Sequence, residues 1–115
     1  PDDNEDDMDW SVKKIKTLRL FSDDEGKMNL NIDEVDGEIL AVSQFTLHAK
    51  IKKGTRPSFA RAAKPEIAKE MYHEYLEKLS KAFTRVSSGI FGAEMNVELL
   101  NDGPVTLFID TRNKE

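Results

Sequence analysis

Apolar residues Met8, Val12, Ile15 and Leu18 follow an acidic head at three- and four-residue intervals. This spacing predicts a short amphipathic helix, and the acidic residues ahead of its first turn suit the positive end of the helix dipole. Residues 18–21 then read as a strand entering a turn at residues 23–26, and a second brief extended piece covers 28–32. Asp36-Gly37 signals a tight turn before the run Ile39-Leu40-Ala41-Val42, which continues through residues 43–47. So apolar a stretch is expected as a central strand covered on both faces. From Lys50 to Pro57 the apolar pattern stops, and Gly54 and Pro57 mark a loop. Pro65 opens a second helix, with Ile67, Met71, Tyr75, Leu79 and Phe83 facing the core and Glu66, Lys69, Glu70, Glu77 and Lys78 in water. Ala93, Met95, Val97 and Leu99 alternate with polar residues, predicting a strand with one wet face. The turn formers Asn101-Asp102-Gly103-Pro104 follow, and Val105, Leu107 and Ile109 alternate in a last predicted strand.

Strands joined by tight turns, with two helices, indicate a single α+β domain over residues 1–115 built on a mainly antiparallel twisted sheet. Only about four or five strands can be counted, and N-terminal strands are expected to be missing.

Composition narrows the chemistry. No run approaches the roughly 20 apolar residues a membrane span needs, and the N-terminus is acidic where a secretory signal would be basic, so a soluble, cytoplasmic protein is expected. The absence of cysteine excludes disulfides, thiol nucleophiles and thiolate-bound metals. The net charge of −5 is concentrated in the first nine residues, where Asp2, Asp3, Glu5, Asp6, Asp7 and Asp9 lie. Against the near-neutral remainder, Lys50, Lys52, Lys53, Arg56, Arg61 and Lys64 form a local basic cluster suited either to phosphates or simply to solvent.

Proton carriers are few. His73 lies mid-helix and fits a surface or core role. In an extended strand Gln44, Thr46 and His48 would share one face, an arrangement open to a threonine nucleophile with a histidine base, although such pairs are also common by chance. The Gly103-Pro104 turn reads as a plain connection. Its chemistry nonetheless permits close backbone approach to a ligand and, through an X-Pro bond held cis, a rigid wall.

Two segments, SQFTL at residues 43–47 and NDGPVT at 101–106, resemble the signature motifs of the D-aminoacyl-tRNA deacylase family. KKGTRPSF at 52–59 and FGAEM at 91–95 resemble the same family, in the same order, and the similarity runs from about Trp10 to Ile109. The resemblance implies the family's α+β fold and its reaction, hydrolysis of the ester joining a D-amino acid or glycine to the tRNA 3′ end, with no cofactor and no metal. It implies that main-chain amides around Gln44, Phe45 and Thr46, supported by Ser43, hold the developing oxyanion. The SQFTL threonine as nucleophile is one mechanism; activation of water by the tRNA's own 2′-hydroxyl is the other, and it better suits a site poor in titratable groups.

The resemblance further implies that Gly103-Pro104 is held cis and reaches into the active site of a partner subunit, excluding L-residues by clash and requiring a homodimer. Asn101 and Thr106 flank that turn on the substrate side. Phe91, Gly92 and Met95 match positions near the terminal adenosine, and Lys52, Lys53 and Arg56 would meet acceptor-stem phosphates. Both signature motifs match the strictly D-specific members rather than a relaxed animal relative. The family's opening strand with its Gln-Arg-Val motif has no counterpart here, and His48 belongs to no family motif. A nucleic-acid-binding protein without chemistry is the alternative reading; DNA as its partner is not expected.

Overall fold

The acidic head becomes helical because it is well capped. In the computed structural model, which describes residues 3–47, 49–100, 102 and 105–114, helix α1 spans Glu5–Thr17. Asn4 and Asp7 form a reciprocal capping box, at 3.1 Å from the Asp7 amide to Asn4 and 3.0 Å from the Asn4 amide to Asp7. Glu5, Asp6 and Asp7 sit in the first turn and Lys14 and Lys16 in the last, so both ends complement the dipole. Helix α2, Pro65–Ala82, begins with proline in its first turn, where the missing N–H costs no hydrogen bond.

The two helices pack on each other and supply most of the core: Met8 and Val12 from α1, Leu79 from α2, with Phe83 just beyond it and Ile32 from the turn at 32–36. Polar ties accompany the apolar seam. The Ser11 and Tyr75 hydroxyls lie 2.6 Å apart, and the Lys16 ammonium donates to the Ala82 carbonyl at 2.5 Å and pairs with Asp33 at 2.8 Å. Lys78, expected in water, is instead largely covered between the helices, bonded to Asp9 at 2.7 Å and Glu5 at 3.1 Å. Ile67 also departs from expectation, being 51% exposed. The rest of the expected stripe holds, with Met71 and Tyr75 partly buried and Leu79 and Phe83 buried, and the covered face widens to Ala68, Tyr72 and Leu76.

Two short strand pairs complete the α+β fold. Strands β1, Phe21–Ser22, and β2, Met28–Leu30, pair antiparallel around a turn in which the Asp23 carboxylate accepts from the Glu25 and Lys27 amides. Strands β3, Ile39–Ala41, and β4, Val86–Ser88, are parallel, with Ile39 opposite Val86 and Ala41 opposite Ser88. A parallel pair needs a crossover, and here α2 supplies it. The antiparallel pairing read from the sequence is thus found in β1–β2, and a parallel β-α-β unit stands beside it.

Three expected strands take another form. Residues 43–47 leave the ladder, and Phe45–Leu47 make a turn of 3-10 helix, because β4 offers partners only as far as Ala41. The run is not doubly covered either: Leu40 is 66% exposed. Among the described residues, 93–99 and 105–109 form no ladder. Their apolar side chains stay open to solvent. The final stretch is drawn along α1 instead, where Arg112 faces Asp3 and Asp7 and the Lys114 ammonium lies 4.7 Å from the centre of the Trp10 ring. Among the described residues no helix is long and apolar enough to cross a membrane.

Candidate active site at the carboxyl ends of a parallel strand pair

Parallel strands end at the same edge, so whatever follows β3 must emerge beside whatever follows β4. In open sheets that edge is the usual place for a ligand. Here the two emerging segments are residues 42–47 and 89–95, two of the stretches picked out from the sequence. The Gly89 amide donates to the Ala41 carbonyl at 2.9 Å, carrying the pairing one step past the ladder. Tyr72, from the crossover helix, places its hydroxyl 3.3 Å from the Ala41 carbonyl and 3.1 Å from that of Gly89.

Beyond Ala41 the backbone turns sharply. The Leu47 amide donates to the Gln44 carbonyl at 3.4 Å, and the Gln44 side-chain amide donates to the Thr46 hydroxyl in a short contact. Gln44 and Thr46 therefore meet through the turn rather than along one face of a strand. Among the described residues, the amides of Gln44, Phe45 and Thr46 donate to no carbonyl and no side chain. Successive main-chain N–H groups left unspent at a turn are the donors an oxyanion requires. Phe45 stands 58% exposed with its ring edge-on to Phe59, centroids 5.1 Å apart, which fixes the turn against the end of the basic loop.

The other segment is shaped by two glycines. Gly92 holds a φ of +73°, a conformation side chains with a Cβ rarely adopt. At Gly89 a Cβ would fall 2.8 Å from the Met95 sulfur, so the glycine lets Met95 lie directly over the backbone. Phe91 is half-buried, its ring centroid 6.0 Å from that of Tyr72. Lys52, Lys53 and Arg56 are exposed on a loop whose base is closed by reciprocal 2.8 Å bonds between Lys50 and Ser58. His73 is on the surface, its ring 5.9 Å from that of Tyr72. Thr106 is exposed. Asn101, Gly103, Pro104 and His48 lie outside the described residues.

Ser43, Gln44, Phe45 and Thr46 are thus brought to one edge with Phe91, Gly92 and Met95. Sequence reasoning passed over Tyr72, Gly89 and Phe59. For Tyr72 a signal existed: it falls four residues after Ala68 and four before Leu76, on the face that α2 buries.

A family model described as D-Tyr-tRNA(Tyr) deacylase matches residues 1–110. A D-aminoacyl-tRNA deacylase of Bacteroides thetaiotaomicron is 55% identical over 114 residues, 98% of this chain and 76% of that protein. Among solved structures, one named c-Myc DNA Unwinding Element Binding Protein superimposes with a TM-score of 0.83 at 39% identity, covering 92% of this chain and 72% of the other.

Proposed function

This chain belongs to the D-Tyr-tRNA(Tyr) deacylase family, and from that premise we propose how its residues remove a D-amino acid from tRNA. Its activity is that of a hydrolase, D-aminoacyl-tRNA deacylation, carried by the 55% identity to a deacylase over nearly the whole chain. Water attacks the ester carbonyl, the carbon–oxygen bond to the terminal ribose breaks, and D-amino acid and tRNA leave. The amides of Gln44, Phe45 and Thr46 receive the oxyanion, with Ser43 supporting the turn; their freedom from other acceptors among the described residues is the observation that favours this role. Each such donor contributes roughly 10²-fold to 10³-fold in rate.

No side chain is needed as base. The terminal 2′-hydroxyl of the tRNA passes the proton of the attacking water to the departing 3′-oxygen, and Thr46, whose hydroxyl already accepts from Gln44, shapes the turn. Gly103-Pro104, held cis, enters the site from a second copy of the chain and leaves no room for an L side chain, so D-residues and glycine are accepted alike. Asn101 and Thr106 hold the flanks of that turn. The enzyme is accordingly a homodimer acting in the cytoplasm. Phe91, Gly92 and Met95 receive the terminal adenosine, and Lys52, Lys53 and Arg56 meet acceptor-stem phosphates without reading sequence.

The test is release of labelled amino acid from D-Tyr-tRNA and L-Tyr-tRNA. The protein is expected to discharge the first and spare the second, with Thr46→Ala keeping turnover within about tenfold and Gly103→Ala losing far more. Complete loss in Thr46→Ala with the fold intact restores the threonine as nucleophile. Tight RNA binding without release makes the protein a binding module. Normal D-selective turnover in Gly103→Ala removes the turn as chiral filter.

A further inference from the structure

The two site segments part company at a single point. The β3–β4 ladder stops at Ala41 opposite Ser88, and past it the bond from the Gly89 amide to the Ala41 carbonyl continues the backbone pairing. Ala41 stands two residues before Ser43, and Gly89 two before Phe91. At this fork the Tyr72 hydroxyl faces both carbonyls, at 3.3 Å and 3.1 Å, sharing one proton between them. The Tyr72 ring is half-buried and lies beside Phe91, centroids 6.0 Å apart and planes tilted by 40°, so one side chain meets the 89–95 segment with its ring and both strand ends with its hydroxyl. Met95 closes over Gly89 at the same place.

We propose that Tyr72 is a positioning residue for the deacylation: by holding both carbonyls it sets the gap between the turn that handles the ester and the segment that receives the terminal adenosine. The proposal rests on the reading of residues 43–46 and 91–95 as those two parts. A tRNA end seated on the 91–95 segment delivers its ester to the amides of the turn only if the two are at the right separation, and small misplacements of a reacting carbonyl are costly in rate. Ground-state affinity comes from the 91–95 segment, which the change leaves in place, while the amides of the turn act on the developing oxyanion, so a wrong gap is felt in the transition state. Removal of the hydroxyl should therefore lower kcat rather than raise KM.

The same helix provides a matched control. Tyr75, one turn further on, spends its hydroxyl on Ser11 of α1 at 2.6 Å and meets neither site segment. Tyr72→Phe and Tyr75→Phe each delete one part-buried hydroxyl from α2 and should lower the melting temperature by similar amounts. On D-Tyr-tRNA, Tyr72→Phe is expected to lose about tenfold in kcat with KM within about twofold, while Tyr75→Phe keeps both. Unchanged kcat in Tyr72→Phe, or an equal loss in Tyr75→Phe, overturns the proposal in favour of a plain helix anchor. Met95→Ala separates this from the underlying reading. It should raise KM for the tRNA; if it does not, the 91–95 segment is not the adenosine site and the role of Tyr72 falls with it. If KM rises but Tyr72→Phe is silent, only the role of Tyr72 is lost.

Discussion

The α1–α2 seam and the stretch from Ile90 to Ile109 are both rich in apolar residues, yet they treat them oppositely. In the seam, Val12, Leu79 and Phe83 are each less than a tenth exposed, and polar bonds at 2.5–3.1 Å bracket them. In the later stretch Ile90, Val97, Leu99, Leu100, Leu107 and Phe108 are all more than half exposed, Leu100 at 93%. Both patterns obey the same physics of burial, but the first is satisfied within the chain and the second is not. Exposed apolar side chains in such number make this stretch a candidate interaction surface. The core of the helix pair and the site segments draw on different residues, so stability and activity are expected to respond to different substitutions.

The sharpest way to break this contrast is at Leu79, the most buried side chain at 2% exposure. Leu79→Ala removes three carbons from the centre of the seam and should lower unfolding free energy by about 2–5 kcal/mol, measured by urea denaturation. A loss under about 1 kcal/mol would mean that the helix pair is not the main source of stability.

This asymmetry also explains what could be read from the chain beforehand. Both helices were legible because a 3.6-residue period, an acidic first turn and an opening proline are local signals, and local signals decide a helix whose face is buried next door. The outcome at 93–99 and 105–109, where expected strands do not form, was not, because alternation says only that a strand would have one wet face; whether it forms depends on a neighbour to accept its hydrogen bonds. The parallel pairing of β3 with β4 is long-range in the same sense. Nothing in Val86-Ser87-Ser88 alone names Ile39-Leu40-Ala41 as its partner. The candidate site residues at 43–46, 91, 92 and 95 came from motifs, whereas Tyr72 emerged only when the fold brought Ala41 and Gly89 together.

The open side is tested at Leu100, next in sequence to the NDGPVT motif. Leu100→Glu places a charge where the chain itself makes no demand for burial, so far-UV circular dichroism and the urea midpoint should barely change. If a second copy covers this face, the variant should sediment as a monomer and lose most of its turnover on D-Tyr-tRNA, because the partner's turn is no longer delivered. A variant that remains dimeric and active would place the interface elsewhere.

The smallest effect is expected at Lys78, and it sharpens the account of the seam. The ammonium is held in its charged form by hydrogen bonds to Asp9 and then Glu5, which raise its pKa above the ordinary 10.5 against a smaller opposing penalty of desolvation. A cation stabilised by folding contributes fully while the unfolded lysine is also charged, and the contribution disappears as pH climbs through the raised folded value. Lys78→Met keeps the aliphatic stem that covers the helices but removes the ion pairs. Its deficit relative to the parent should therefore be constant from about pH 7 to about pH 9 and shrink only beyond the ordinary lysine range. Asp9 and Glu5 are 57% and 76% exposed, so salt should also erode the deficit. A deficit that grows with pH, or one untouched by salt, would show that Lys78 acts through packing of its stem and not through its charge.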